Sequence, residues 1–269
     1  MVPPDPNVSL DAASPPMGDG MPPPTNLDTP ADAPPPLGRK VWIVAILLGV
    51  AAGVVAWGAG ESALLQVKAE IVDVVLLGQT FKSATPETVQ AAEVRTAIQV
   101  FSVFGALLGL AGGLSSSLAA GSSASKIRAA VIGLLVGGVS GGLAAFIVLP
   151  IHNRLAIDSA AEFLTSFVGH AGIWMPIGAA AGLGLALGLN RGSRQTLLMV
   201  VGGLLGAGVA AALYDVIGAL AFPLGGTALP ISKTPASRFL ARILLSVLVM
   251  AAALILATTT RSKRAARPT

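Results

Sequence analysis

The stretch IGLLVGGVSGGLAAFIVLP, Ile132–Pro150, sets the reading of the whole chain. It carries no charge and is long enough to cross the ~30 Å of hydrocarbon in a bilayer. Yet five glycines fall between Gly133 and Gly142. In water that density would dissolve a helix, because each glycine costs about 1 kcal/mol relative to alanine. In hydrocarbon an unpaired backbone N–H or C=O costs more than that, so the helix persists. The glycines then serve another purpose. Gly133, Gly137 and Gly141 recur every four residues, as do Gly105, Gly109 and Gly113 in an earlier apolar segment. Glycines at this spacing form a groove that admits a second helix backbone, a contact that replaces the hydrophobic drive in lipid.

The composition agrees. Of 269 residues 54% are hydrophobic and 11% charged, with a mean hydropathy of +0.78, where a soluble domain carries about a quarter charged residues. Five further windows resemble the first in length and apolarity. The expected spans are 41–60, 97–120, 129–150, 172–189, 196–221 and 239–258, which defines an all-α integral membrane protein of six transmembrane helices. The small residues of AWGAG would suit a leader cleavage site, but the long stretch ahead of them favours a retained first helix.

Basic residues orient the spans. Arg39, Lys40, Lys126, Arg128, Arg191, Arg194, Arg261, Lys263, Arg264 and Arg267 fall on one side, mostly in short loops, and the remaining seven on the other. The positive-inside bias places both termini in the cytoplasm, with the protein in the cell membrane. Residues 1–38 hold five aspartates and no Lys or Arg. This Pro/Asp-rich cytoplasmic tail buries too little apolar surface to order itself and is expected to be disordered. Residues 39–260 form the membrane domain and 261–269 a short basic cytoplasmic tail. The domain and basic tail together carry 17 basic against 8 acidic residues, an excess that suits anionic lipid. With no aromatic-interleaved basic patch, no nucleic-acid partner is expected. Without cysteine there is no disulfide or thiolate metal site. His152 and His170 lack clustered carboxylates, and no phosphate-binding glycine loop is present. No cofactor or metal is implied.

The outer segments are 61–95, 151–171 and 222–238. In the first, Thr85 and Pro86 read as a helix start. Around the second, Asp158, Glu162, Thr165, Ser166 and Gly169 share one helical face, with Ile157, Ala161, Leu164, Phe167 and Val168 opposite. That pattern predicts a short helix lying in the outer interface, with Pro176 in the first turn of the following span, or kinking it if the helix starts earlier. AAEVRT (91–96), GALLGLAGGL (105–114) and GLLVGGVSGGL (133–143) return in order as AAEFLT (160–165), GAAAGLGLAL (178–187) and GLLGAGVAAAL (203–213). These matches point to a parallel internal repeat of a helical hairpin. The first and sixth spans flank it, and the glycine-free sixth is expected to face lipid.

Asp215 is the one acid well inside a span, about 9 Å below the outer boundary at 1.5 Å per residue. An intramembrane carboxylate is costly and marks a proton relay, a cation site or a partner for a base. His170, Tyr214 and Arg242 lie at similar depth and are candidates to join it in an outward-facing cluster that binds a ligand or ion. The repeat has Ala145 where Asp215 stands, so the site is asymmetric. Glu93 and Glu162 are the acids the repeat duplicates, and they read as solvated faces of the outer helices.

GVSG (138–141) resembles the G-x-S-G motif of rhomboid intramembrane proteases. The resemblance implies a Ser140–His170 dyad. It spans four residues, and the histidine stands on the adjacent span rather than two spans later. Two readings carry more of the chain. One is a small-solute or ion permeation protein built around Asp215 and His170. The other is a non-catalytic scaffold whose glycine faces and Pro-rich tail bind a membrane-protein partner or a second copy. Neither is an enzyme.

Overall fold

The computed structural model describes residues 38–62, 65–76, 78–120, 124–158, 162–190 and 192–265; side chains at 76, 116–126, 156–162 and from 259 onward are not among them. The Pro/Asp-rich tail, the end of the basic tail, Arg191 and the side chains of Asp158 and Glu162 therefore lie outside the described residues. Six helices follow one another: α1 (Arg39–Glu61), α2 (Pro86–Ala120), α3 (Ala124–Asp158), α4 (Glu162–Gly188), α5 (Ser193–Ala221) and α6 (Pro235–Ala265). All six are long and apolar enough to cross a membrane, as in a polytopic membrane protein. Each packs on its neighbour in sequence, α6 closes on α1, and α2 meets α4 across the middle. Burial reaches 56% and 61% of the apolar windows of α2 and α4, against 33 to 44% in the other four, so these two form the centre.

The opening stretch lies within α3, and its two faces divide the labour. Val131, Leu135, Val139, Leu143 and Phe146 are exposed, presenting the apolar surface that lipid covers. Gly133, Gly137 and Gly141 are buried against α2. A Cβ at Gly105 would overlap the Gly137 carbonyl and one at Gly137 the Gly105 carbonyl; Gly109 and Gly133 stand in the same relation. Gly141 abuts the Phe101 carbonyl, and a Cβ at Gly113 would lie 2.6 Å from Ala130 Cα. The two backbones touch with nothing between them.

Three elements differ from expectation. The glycine-free α6 turns one whole face into the bundle: Leu245, Val249, Met250, Ala253 and Leu254 are fully buried, while Phe239 and Ile255 are exposed. Its neighbours supply the glycines. A Cβ at Gly202 of α5 would stand 2.7 Å from the Ala252 carbonyl oxygen, and one at Gly53 of α1 3.0 Å from that of Arg242. Close packing needs a small residue on only one side of the contact. Second, no separate interfacial helix lies before the fourth span among the described residues. α3 runs on to Asp158 and α4 begins at Glu162. Ser166 and Gly169 turn into the bundle while Phe163, Leu164 and Val168 are exposed, so this part of the polar face points at protein rather than water. Pro176 consequently sits mid-helix, where its missing N–H frees the Gly172 carbonyl. Third, an antiparallel hairpin of β1 (Ile71–Leu76) and β2 (Gln79–Ala84) occupies the first outer segment. Gly78, at φ +78°, makes the turn.

Adding volume where backbones touch is predicted to be costly. Gly137→Val should destabilise the purified protein by about 1–3 kcal/mol, whereas Gly58→Val, with no atom within 4 Å of its added Cβ, should change stability by no more than about 0.5 kcal/mol. Thermal melts in detergent compare the two; equal melting temperatures would show that the α2–α3 contact yields.

Candidate functional site

At the end of the bundle that carries the hairpin, α4 and α5 bring polar side chains together. Ser166, His170 and Trp174 stand four residues apart on α4 and so share one face. Tyr214 and Asp215 face them from α5, all of them buried. His170 Nδ1 lies 2.8 Å from Asp215 Oδ1, and Ser166 Oγ donates to the same oxygen at 2.9 Å. His170 Nε2 lies 3.1 Å from the Leu229 carbonyl oxygen. Trp174 and Tyr214 wall the imidazole, with ring centroids 5.2 and 5.1 Å away.

The protons follow from the partners. A carbonyl oxygen only accepts, so Nε2 carries a hydrogen and donates it to Leu229. The short Nδ1–Oδ1 line then holds one further proton, on the ring or on the acid. Either way the pair is neutral as a whole, which makes it tolerable in an apolar interior. The Leu229 carbonyl belongs to the 222–234 loop, folded back over the bundle by Gly225 N–H→Phe222 O and Lys233 N–H→Gly225 O, both 2.8 Å. Gly226 adopts φ +58° in that turn.

This is not the arrangement of an activated serine. There the imidazole takes the hydroxyl proton on the nitrogen opposite its carboxylate. Here Ser166 sits on the carboxylate side, 3.4 Å from Nδ1, and the opposite nitrogen is bonded to Leu229. Ser140 makes no hydrogen bond to His170. No protein-family model, curated protein or solved structure matches the chain. The geometry therefore carries the functional argument alone.

Of the four candidates, Asp215 and His170 bond directly. Tyr214 packs on His170, with ring centroids 5.1 Å apart. Arg242 does not pair with Asp215. Its guanidinium carbon lies 4.6 Å from the Phe101 ring centre and 4.5 Å from that of Phe104. A void of about 20 Å³ separates Arg242 from His170, Trp174 and Tyr214, room for about one water.

On its other side Arg242 borders a cavity of about 400 Å³ lined by Ala56, Trp57, Gly60 and Glu61 of α1, Gln66, Val67, Thr96 and Val100, Ile231, and Arg238. Arg238 is fully engaged there. It forks onto Glu61 with Nε–Oε1 at 2.6 Å and Nη2–Oε2 at 2.7 Å, and its Nη1 donates to the Ser232 carbonyl at 2.7 Å. Trp57 Nε1 donates to the Pro235 carbonyl at 3.1 Å, tying α1 to the start of α6. Thr96 Oγ1 accepts from Val67 N–H at 3.0 Å and holds the chain ahead of β1 against α2.

Sequence reasoning passed over Ser166 as a site residue and the Glu61–Arg238 pair entirely. Ser166 carried a signal: it lies one turn before His170. Arg238 likewise precedes Arg242 by one turn, but nothing local ties it to Glu61, 177 residues away. Glu93 is exposed on α2. His152 is buried against Gly169, outside the cluster.

The shared carboxylate oxygen predicts energetic coupling. Ser166→Ala should cost about 1 kcal/mol and Asp215→Asn about 1–3 kcal/mol, with the double variant departing from additivity by at least about 0.5 kcal/mol. Denaturant unfolding in detergent measures all three. Strict additivity would show that Ser166 and Asp215 are not one network.

Proposed function

We propose that this polytopic membrane protein admits a small solute from the hairpin end, as the entry step of permeation. The observation that carries this reading is the cavity of about 400 Å³ between α1, α2 and α6, a size suited to small-molecule binding. Its rim holds the half-buried Glu61–Arg238 pair and its depth the buried Val100, Ala56 and Arg242. In this reading the Asp215–His170–Ser166 cluster is not the binding surface. It pins the Leu229 carbonyl, and with it the loop that presents Ile231 as a cavity wall. The bias of basic residues toward the other end makes the cavity outward-facing, with both termini cytoplasmic.

The glycine-lined contacts are proposed as the surfaces on which the helices shift to pass the solute. They also support a duplicated hairpin. Gly105 meets Gly137 between α2 and α3, and Gly178, the repeat counterpart of Gly105, meets Gly203 and Ala207 between α4 and α5. One observation favours the assembly reading instead. Ile71 and Val75 of β1 and Phe81 of β2 are 67, 70 and 49% exposed, an apolar hairpin surface suited to a partner subunit. The glycine faces are less suited to that role, because the chain's own helices cover them.

The chain has no cysteine, which makes single-cysteine labelling clean. Val100→Cys and Ile231→Cys should react with an impermeant maleimide applied to intact cells at least tenfold faster than Ile177→Cys, which is fully buried. Leu224→Cys, at a residue 93% exposed, is the positive control. If Leu224→Cys reacts and both cavity positions are as slow as Ile177→Cys, the permeation reading falls and assembly leads. Reaction of Leu224→Cys only in permeabilised cells would reverse the orientation.

A further inference from the structure

Two arginines one helical turn apart on α6 are treated in opposite ways. Every nitrogen of Arg238 finds an oxygen. Arg242, only 5% exposed, makes no side-chain hydrogen bond among the described residues, and its Nη1 is wholly buried without a partner. Phe101 and Phe104 attract the cation through their ring faces, but they accept none of its in-plane N–H groups. A buried charged donor left unmatched is strongly destabilising. Two other charged pairs at this end are matched: His170 bonds Asp215 and Arg238 bonds Glu61.

We propose that the cavity bordered by Arg242 is a binding site for a singly charged oxyanion with an apolar body. This deepens the proposed function and rests on the cavity being open to solute. The planar guanidinium matches a carboxylate or phosphodiester through paired N–H donors. The net charge of the lining selects one negative charge: Arg238 and Glu61 cancel, leaving Arg242 alone, and Glu61 at the rim repels a second charge. The body of the ligand lies against Ala56, Val100 and Ile231, the apolar part of the lining. Thr96 adds a hydroxyl able to donate, since its oxygen already accepts from Val67. Such an oxyanion comes either from a dissolved organic carboxylate or from the headgroup of an acidic lipid.

The test uses the full-length protein and the Val100→Cys variant. In neutral detergent, octanoate and benzoate are titrated while the melting temperature and the maleimide rate at Val100→Cys are followed. In parallel, the labelling rate is compared between nanodiscs of phosphatidylcholine alone and of phosphatidylcholine with phosphatidylglycerol in equal parts. The expected result is a rise in melting temperature and at least a tenfold fall in labelling rate with one anion source, and the arm that responds names the source. Arg242→Gln should melt no lower than wild type without anion, because it removes an unmatched buried charge, and it should lose the anion response. Arg242→Lys, which keeps the charge and loses the fork, should weaken the response at least tenfold. Fast labelling that no anion slows, or an undiminished response in Arg242→Gln, overturns the anion site while leaving the cavity open to another solute. Absence of labelling in every condition overturns the cavity reading as well.

Discussion

The direct contact of two helix backbones between α2 and α3 organises this bundle. Where Gly105 faces Gly137 and Gly109 faces Gly133, each carbonyl occupies the space a side chain would need. Lipid tails are as apolar as leucine, so helices gain little by hiding leucines from them; they gain from dispersion contact at close range, which glycine permits. The approach of α2 and α3 also admits α4. A Cβ at Gly184 of α4 would stand 2.7 Å from the Gly109 carbonyl oxygen, and one at Gly112 of α2 2.5 Å from that of Ala181. With α2 and α4 thus drawn to the centre, α5 and α6 pack around α4 and α1 closes the ring from α6 to α2.

Burial at the hairpin end forces each ionisable group to find its own solution. Asp215 and His170 share a proton and present no net charge to the interior. Glu61 and Arg238 pair at the rim, where water still reaches them. Arg242 combines deep burial with an unmatched Nη1 donor, and it does so at the boundary of a cavity. The neutral cluster and the cavity are mechanically linked through the 222–234 loop: its Leu229 carbonyl is held by His170, and Ile231, two residues on, lines the cavity. In the proposed reading, positioning and binding are divided between two groups of residues that lie close together.

The prominence of Asp215 and His170 in the sequence had a physical source, since polar residues within apolar windows are rare and expensive. Their partners were harder to read. Ser166 fell on a stripe of polar residues that would suit water as well as protein, and only the direction in which α4 enters the bundle decides which. Arg242 looked like a natural partner for Asp215 on depth alone. Depth along a helix says nothing about azimuth, and the guanidinium points instead at Phe101 and Phe104. The first strand was legible in part: IVDVVL is apolar at five of six positions, but a run that short falls well below the length of a span and leaves its partner strand unspecified.

The linear order of residues is enough to determine six spans, the rough depth of each polar side chain and the glycine spacing that allows backbones to meet. These are local properties, set by hydrocarbon thickness, helical rise and side-chain size. The tertiary structure alone decided which glycine faces which backbone, that the glycine-free α6 buries one whole face, and that a salt bridge joins Glu61 to Arg238 across most of the chain. In a bundle held by close contact rather than by hiding apolar surface, any helix face carrying small residues can pack against many others. The choice among them is made by the fit of all six helices at once, which no single window of sequence contains.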